Sequence, residues 1–112
     1  MSFQYLQLEQ RDQVATVWIN RAEMHNAFNT QVIEELHRCF SELNTRDDVR
    51  VVILAGRGKS FSAGADLNWM KEAGQASQAE NEADALKLAK MLQSLATLKQ
   101  PTIARVQGIA FG

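Results

Sequence analysis

The stretch VRVVILAGRGKSFSAGADL, residues 49–67, combines a strand pattern, two glycine turns and a helix start. Residues 49–55 form a short run rich in β-branched side chains, with a continuous apolar part at residues 51–55, which is typical of a strand covered on both faces. Residues 56–60 break this run, and the turn AGAD at residues 63–66 precedes LNWM at residues 67–70, the expected first turn of a short helix. The stretch therefore predicts a strand–loop–helix unit of an α/β protein.

The residues before this stretch predict two strands and a helix. Residues 3–8 and 14–19 read as strands joined by a short polar link, which favours an antiparallel hairpin. Residues 20–29 lack an apolar period and read as a loop. A helix is expected from Thr30 or Gln31 to about Asn44, with Thr30 as its N-cap. Its apolar face would contain Val32, Ile33, Leu36, Phe40 and Leu43.

The residues after it predict a second helix–strand pair. Residues 74–78 are small and polar and are the most loop-like part of the chain. A long amphipathic helix is expected over residues 79–98, followed by a stop at Pro101 and a strand over residues 102–106. The apolar stripe of this helix would contain Ala85, Leu88, Ala89, Leu92, Leu95 and Ala96.

Composition limits the class of protein. The chain has 112 residues, enough for one small domain. Its net charge of -1 provides no basic field, so we expect no nucleic-acid partner. A single cysteine, Cys39, cannot form an internal disulfide, and together with only two histidines far apart it makes a metal site improbable. The N-terminus has no signal-peptide pattern and no apolar run could span a bilayer, so a soluble, cytoplasmic protein without a membrane partner is expected.

The junction at residues 58–67 is the strongest candidate site. Backbone amides at a helix start are not used by the helical hydrogen bonds, and together with the helix dipole they could bind an anion or stabilise an oxyanion. The alternative is an ordinary strand-to-helix turn in which Asp66 is the N-cap. The glycine spacing fits neither a P-loop nor a dinucleotide-binding fingerprint.

The loop NRAEMHNAFN, residues 20–29, is the second candidate. Its mixed polar and apolar character suits a wall for an elongated ligand, although the residues taken alone favour a connecting loop whose asparagines satisfy turns. His25 could act in acid–base catalysis or simply face solvent. Trp69 and Met70 could line a pocket or pack in a core or an interface.

Three motifs in order carry a resemblance to a known family. They are NRAEMHNAFN at residues 20–29, FSAGADL at residues 61–67 and PTIARVQGIAFG at residues 101–112. With them the chain resembles the N-terminal part of the crotonase superfamily, the enoyl-CoA hydratase/isomerase family. Within that family it looks most like bacterial methylglutaconyl-CoA hydratases of leucine and isovalerate breakdown.

The resemblance implies an α/β fold, the N-terminal portion only of a crotonase-like ββα spiral. Residues 1–112 would form the N-terminal part of a single domain, with the chain ending inside the glycine-rich oxyanion loop. The full-length protein would be a homotrimer or hexamer. Because the part that normally closes the spiral is missing from this chain, we expect exposed apolar surface and aggregation or partial folding.

The resemblance also implies an acyl-CoA site. The backbone N–H of Ala65 would be one of two oxyanion donors, and the second would follow Gly112. No separate cofactor is expected, because coenzyme A is part of the substrate. Some relatives have a lysine near the CoA phosphate where this chain has Glu23 or Asn68. The expected CoA-binding residues are Met24, Ala27, Ala63, Gly64, Ala65, Asp66, Leu67 and Asn68.

The implied activity is the hydration of an enoyl-CoA double bond, with the thioester enolate held by the two amides. Isomerisation of the double bond is the alternative, and a non-catalytic CoA-binding or assembly fragment is the alternative for the chain as it stands. The acidic residues that handle water and the α-proton would follow Gly112, so the 112 residues alone are expected to be inactive.

Overall fold

A computed structural model describes residues 2–64 and 66–108 of the chain. Within these ranges one four-stranded sheet, in the order β1-β2-β3-β4, is combined with three α-helices. The elements are β1 (Leu6–Arg11), β2 (Val14–Ile19), α1 (Thr30–Leu43), β3 (Val51–Gly56), α2 (Leu67–Gln75), α3 (Gln78–Ala96) and β4 (Thr102–Arg105).

The sheet is mixed. Strands β1 and β2 form the predicted antiparallel hairpin, with Leu6 opposite Ile19. Strand β3 pairs with β2 in parallel, and β4 pairs with β3 in parallel. Because parallel neighbours need a crossover, a helix lies between β2 and β3 and further helices lie between β3 and β4. The α/β prediction is therefore confirmed.

Strand β1 begins at Leu6 and not at residue 3, as the sequence pattern indicated. The N–H groups of Gln4 and Tyr5 both donate to Oε1 of Glu35 on α1, at 2.5 and 3.0 Å. The N–H groups just before β1 are therefore bonded to the buried carboxylate of Glu35 and not to a neighbouring strand. Sequence periodicity contains no sign of such a contact across 30 residues.

Helix α1 covers one face of the sheet as predicted. Its N-cap is Asn29 and not Thr30, because the Asn29 side chain accepts a hydrogen bond from the N–H of Val32 at 2.9 Å. Asparagine is among the strongest N-cap residues, and Thr30 becomes the first helical residue. The predicted apolar face is buried, and Cys39 is buried with it. The buried apolar residues are Val32, Ile33, Leu36, Cys39, Phe40 and Leu43.

Helices α2 and α3 depart from the sequence prediction. Helix α2 continues through Gly74 to Gln75, so most of the expected loop at 74–78 is helical. In α3, the predicted stripe residues Leu88 and Leu95 pack against the core, while Ala85, Ala89, Leu92 and Ala96 are exposed. Met91, which the sequence analysis left out, is the buried residue of this helix. A methionine or leucine gains far more than an alanine from burial, so these larger side chains decide which face turns inward.

Strand β4 leaves apolar side chains exposed. It ends at Arg105, one residue earlier than predicted, and all four of its residues are exposed. Ile103 is 55% exposed and Val106 just after the strand is 59% exposed. The expectation of exposed apolar surface is confirmed. None of the helices in the described ranges is long and apolar enough to cross a membrane.

Candidate functional site

Two connecting segments are joined by main-chain hydrogen bonds: residues 20–29, which include a short 3-10 helix at Ala22–Met24, and residues 60–66, of which Ala65 lies outside the described residues. The N–H of Ala63 donates to the carbonyl of His25 at 2.9 Å, and the N–H of Phe28 donates to the carbonyl of Gly64 at 2.6 Å. The N–H of Asp66 donates to the carbonyl of Phe28 at 2.7 Å. These bonds bring the first two sequence motifs together without a regular strand pair.

Asn26 is the polar centre of this junction. It is fully buried and has a left-handed backbone with φ of 55°. Its Oδ1 accepts from the N–H of Arg21, and its Nδ2 donates to the carbonyls of Arg57 and Ser60, each at 2.8 Å. The sequence predicted only local turns for the loop asparagines. Asn26 in addition joins its own loop to the turn that follows β3.

Gly56, at the end of β3, makes room for this network. A Cβ at this position would lie 2.6 Å from the carbonyl oxygen of Phe61 and 2.8 Å from Nδ2 of Asn26. Both distances are too short for contact with a carbon atom. This position therefore requires glycine because Phe61 and Asn26 approach its backbone closely, and not because of its φ angle.

Asp66 has two structural partners. Its Oδ1 accepts from the N–H of Trp69 at 3.0 Å, and its Oδ2 accepts from Nη1 of Arg21 at 2.7 Å. The same Arg21 nitrogen donates to the carbonyl of Ala27 at 2.9 Å. The hydrogen bond from Trp69, supported by Arg21, holds the pKa of Asp66 below its ordinary value despite burial. The N-cap interpretation of Asp66 is correct, and the ion pair with Arg21 is a feature that the sequence analysis missed.

The amides at the helix start are less available than the sequence suggested. Ala63 and Asp66 donate to main-chain carbonyls, and the N–H of Gly64 donates to Oγ of Ser62 at 3.1 Å. None of these three amides is free to hold an oxyanion, so the expectation that they point outward is wrong for them. Ala65, the predicted oxyanion donor, lies outside the described residues.

A groove of about 590 Å³ lies beside this junction. Three of its lining side chains are large, apolar and exposed: Met24 at 40%, Leu67 at 72% and Met70 at 46%. Of the residues predicted to bind CoA, Met24, Ala27, Ala63, Asp66, Leu67 and Asn68 line the groove, and Gly64 does not. The remaining lining residues are Glu23, His25, Met70 and Lys71.

One polar residue of the groove lining, Lys71, was not predicted. Glu23, His25 and Lys71 line the groove, and within residues 2–64 and 66–108 Lys71 has no ion-pair partner. Nδ1 of His25 lies 3.3 Å from Oγ of Ser60, which holds the ring against the junction. Trp69 and Met70 were expected either to line a pocket or to pack in a core or an interface. Met70 lines the groove, whereas Trp69 packs against the core. An apolar wall beside a lysine fits a ligand with both apolar and anionic parts.

The third sequence motif also reaches this junction. The N–H of Phe61 donates to the carbonyl of Gln107 at 2.8 Å, and Nε2 of Gln107 donates to the carbonyl of Gly56 at 2.6 Å. Gly108 is so close to Lys59 that a Cβ would lie 2.0 Å from the Lys59 carbonyl oxygen. Residues 109–112, the predicted start of a second oxyanion loop, lie outside the described residues.

Comparisons with known proteins agree with this geometry. The family model for enoyl-CoA hydratase/isomerase matches residues 9–112. The short-chain-enoyl-CoA hydratase of Clostridium acetobutylicum is 38% identical over 106 residues, covering 94% of this chain and 40% of that protein. The 4-chlorobenzoyl coenzyme A dehalogenase-2 of an Arthrobacter species is 33% identical, covering 96% of this chain and 40% of that protein.

The same agreement holds for solved structures. An enoyl-CoA hydratase from Shewanella pealeana superposes with a TM-score of 0.95 at 36% identity, covering 98% of this chain and 42% of that one. The chain thus spans about 40% of the length of the curated relatives that it matches. The predicted family and its N-terminal position are confirmed, whereas the methylglutaconyl-CoA subfamily is not. This 112-residue chain belongs to the enoyl-CoA hydratase/isomerase family.

Proposed function

We propose that the groove beside the 20–29 and 60–66 junction binds the coenzyme A part of an acyl-CoA thioester. One observation carries the proposal: Met24, Leu67 and Met70, three large exposed apolar side chains, converge on one groove. Exposed apolar side chains gathered in a concave site are typical of ligand binding rather than of an ordinary surface.

The chemistry of the lining suits coenzyme A. Methionine side chains are polarisable and adaptable, so Met24 and Met70 can contact both an aliphatic arm and an aromatic base. Lys71 and His25 place nitrogen donors on the same groove, where phosphate groups are good acceptors. Asp66 does not take part directly, because both of its carboxylate oxygens are used within the protein.

For the whole protein, the activity we propose is the addition of water to the double bond of an enoyl-CoA. The amide of Ala65 would be one oxyanion donor, with a second donor beyond Gly112. The resemblance supports a methylglutaconyl-CoA type of substrate and a homotrimer or hexamer, and it implies no separate cofactor. The net charge of -1 and the single cysteine of the sequence favour a cytoplasmic location without a nucleic-acid or membrane partner. Double-bond isomerisation is the alternative reaction.

The names of the relatives support an acyl-CoA ligand more strongly than they support hydration as the reaction. One relative is named a hydratase of a short-chain enoyl-CoA and another a dehalogenase of 4-chlorobenzoyl coenzyme A. Both names contain a coenzyme A thioester, but the reactions differ. The shared part that this chain spans is therefore best interpreted as the thioester-binding part.

One observation favours binding without turnover by the 112 residues alone. Among the described residues that line the groove, the carboxylates are Glu23, which is exposed, and Asp66, which is bonded to Arg21 and Trp69. A general base with a pKa near neutrality usually needs burial or a like-charged neighbour. Asp66 is buried, but the hydrogen bonds from Trp69 and Arg21 lower its pKa and occupy both of its oxygens, so we expect ligand binding with no hydration.

Calorimetric titration of the chain with crotonyl-CoA, next to an assay of hydration, tests the proposal. Leu67→Asp places a charge on the apolar wall and should weaken binding about tenfold or more. Leu86→Asp is the matched control, because Leu86 is 54% exposed on α3 and does not line the groove. Equal affinities in the two variants would contradict the assignment of the groove.

A further inference from the structure

Two of the three methionines in the described residues lie in the groove. Met24 is 40% exposed and Met70 is 46% exposed, and both line the same wall. The third, Met91, is 2% exposed and packs in the core between α3 and α1. An oxidant in solution can therefore reach the groove sulfurs, while the core sulfur is protected.

The chemistry of a thioether with hydrogen peroxide is an oxygen transfer. The sulfur forms a bond to one peroxide oxygen and loses two electrons, the O–O bond breaks, and the other oxygen leaves as water. The product, methionine sulfoxide, is polar where the thioether was apolar, and methionine sulfoxide reductases reverse the change. At Met24 and Met70 this reaction would replace two apolar groups of the wall with strong hydrogen-bond acceptors.

The single cysteine does not compete for the oxidant. Cys39 is completely buried, and burial raises the pKa of its thiol to about 12. Peroxide attacks the thiolate, which is scarce at neutral pH for such a group and is also inaccessible. Among the cysteine and methionine residues that the structure describes, mild oxidation is thereby directed to the two groove methionines.

We propose that Met24 and Met70 form a reversible oxidation site through which peroxide lowers the affinity of the groove for acyl-CoA. The effect on affinity rests on the proposed function, whereas the selectivity of oxidation rests on exposure alone. Sulfoxide oxygen atoms on the apolar wall must be desolvated when ligand binds, and this cost weakens binding.

The test treats the folded chain with hydrogen peroxide and maps the oxidised methionines by mass spectrometry of its peptides. We expect Met24 and Met70 to be oxidised well before Met91. Crotonyl-CoA should then bind about tenfold more weakly, and methionine sulfoxide reductases should restore the affinity. The double variant Met24→Leu with Met70→Leu has no thioether in the groove, so peroxide treatment should leave its own starting affinity unchanged, whatever that value is.

Three results would overturn the proposal. Oxidation of Met91 as fast as Met24 and Met70 would remove the selectivity. Unchanged affinity after complete oxidation of both groove methionines would remove the effect on binding. Equal loss of affinity in the double leucine variant would place the lesion elsewhere. Failure of the untreated chain to bind crotonyl-CoA would instead overturn the proposed function. The two failures can be told apart, because the selectivity of methionine oxidation is measured without ligand.

Discussion

Arg21 and Asp66 form a buried ion pair that joins the segment after β2 to the N-terminus of α2. Nη1 of Arg21 lies 2.7 Å from Oδ2 of Asp66, and the two side chains are 11% and 3% exposed. The same carboxylate caps α2, so one residue both ends the 60–66 segment and begins the helix that carries Leu67 and Met70. The shape of the groove therefore depends on this pair.

Asp66→Asn should destabilise the chain by about 3 kcal/mol, because it leaves the Arg21 guanidinium buried without a counter-charge. Asparagine still caps the helix, so the loss reports the ion pair rather than the cap. Chemical denaturation measures the free energy of unfolding. Glu9→Gln is the control: it removes the Glu9–Arg57 pair, whose side chains are 59% and 36% exposed, and should cost about 1 kcal/mol or less. Similar losses in both variants would contradict the special role of the buried pair.

The same pair predicts an acid dependence of stability. The pKa of Asp66 is lower in the folded chain than its ordinary value, so the unfolded state binds the proton more readily. The stabilisation from Asp66 is then complete above the ordinary aspartate pKa and is lost as the pH falls through the lower, folded value. Unfolding free energies of the native chain and of Asp66→Asn should converge as the pH is lowered below about 4. A constant difference across that range would be the opposite result.

Gly56 and Gly74 should respond in opposite directions to alanine. At Gly56 a Cβ would lie 2.6 Å from a main-chain oxygen, so Gly56→Ala must move the 60–66 segment and should lower both stability and ligand affinity. At Gly74, inside α2, a Cβ would meet nothing within 4 Å. Gly74→Ala should therefore stabilise the chain by about 0.5–1 kcal/mol. Thermal unfolding of both variants checks the signs, and a tolerated Gly56→Ala would show that the junction is not closely packed.

The fold was largely predictable because most of its elements follow simple periodicity. The apolar spacing of α1 predicts its buried face correctly. Strand β3 was expected to be covered on both faces, whereas Val51, Ile53 and Leu54 are only half-buried. Helix α3 was harder, because its alanines fit an apolar stripe without gaining much from burial. In the structure Met91 is buried in the core, and Leu88 and Leu95 pack against it.

The candidate site was predictable only where motif and groove coincide. Resemblance located Met24, Leu67 and Asn68, and the structure brings them to one groove. The bonds that build the junction were not predictable from spacing, since Asn26 and Arg21 act on partners 31 to 45 residues away. Long-range hydrogen bonds of this kind leave no periodic signal in a single sequence. Lys71 was missed because nothing in its local sequence distinguishes it from a solvated helix residue.

Lys71 should favour ligands that carry phosphate. Its ammonium group lines the groove without an ion-pair partner in the described ranges, one helical turn from Asn68. Lys71→Ala should weaken coenzyme A binding about three- to tenfold, and the effect should shrink as salt screens the charge. Binding of pantetheine, which lacks the nucleotide phosphates, should not change. Lys90→Ala, an exposed lysine on α3 outside the groove, is the control. Equal weakening of coenzyme A and pantetheine would assign Lys71 to packing instead.

Strand β4 should make the isolated chain self-associate. Its side chains are exposed, Ile103 is 55% exposed, and its outer edge has no strand partner among the described residues. An exposed apolar edge strand is a template for pairing with another chain, and a charge on it suppresses that pairing. Ile103→Lys should therefore raise the highest concentration at which the chain is still monomeric, as measured by light scattering. Thr102→Lys adds the same charge one residue away without removing apolar surface, and it separates the effect of charge from that of apolar exposure. A native chain that is monomeric at high concentration and unfolds cooperatively would contradict the prediction, because such a chain would have to tolerate Ile103 and Val106 in water without association.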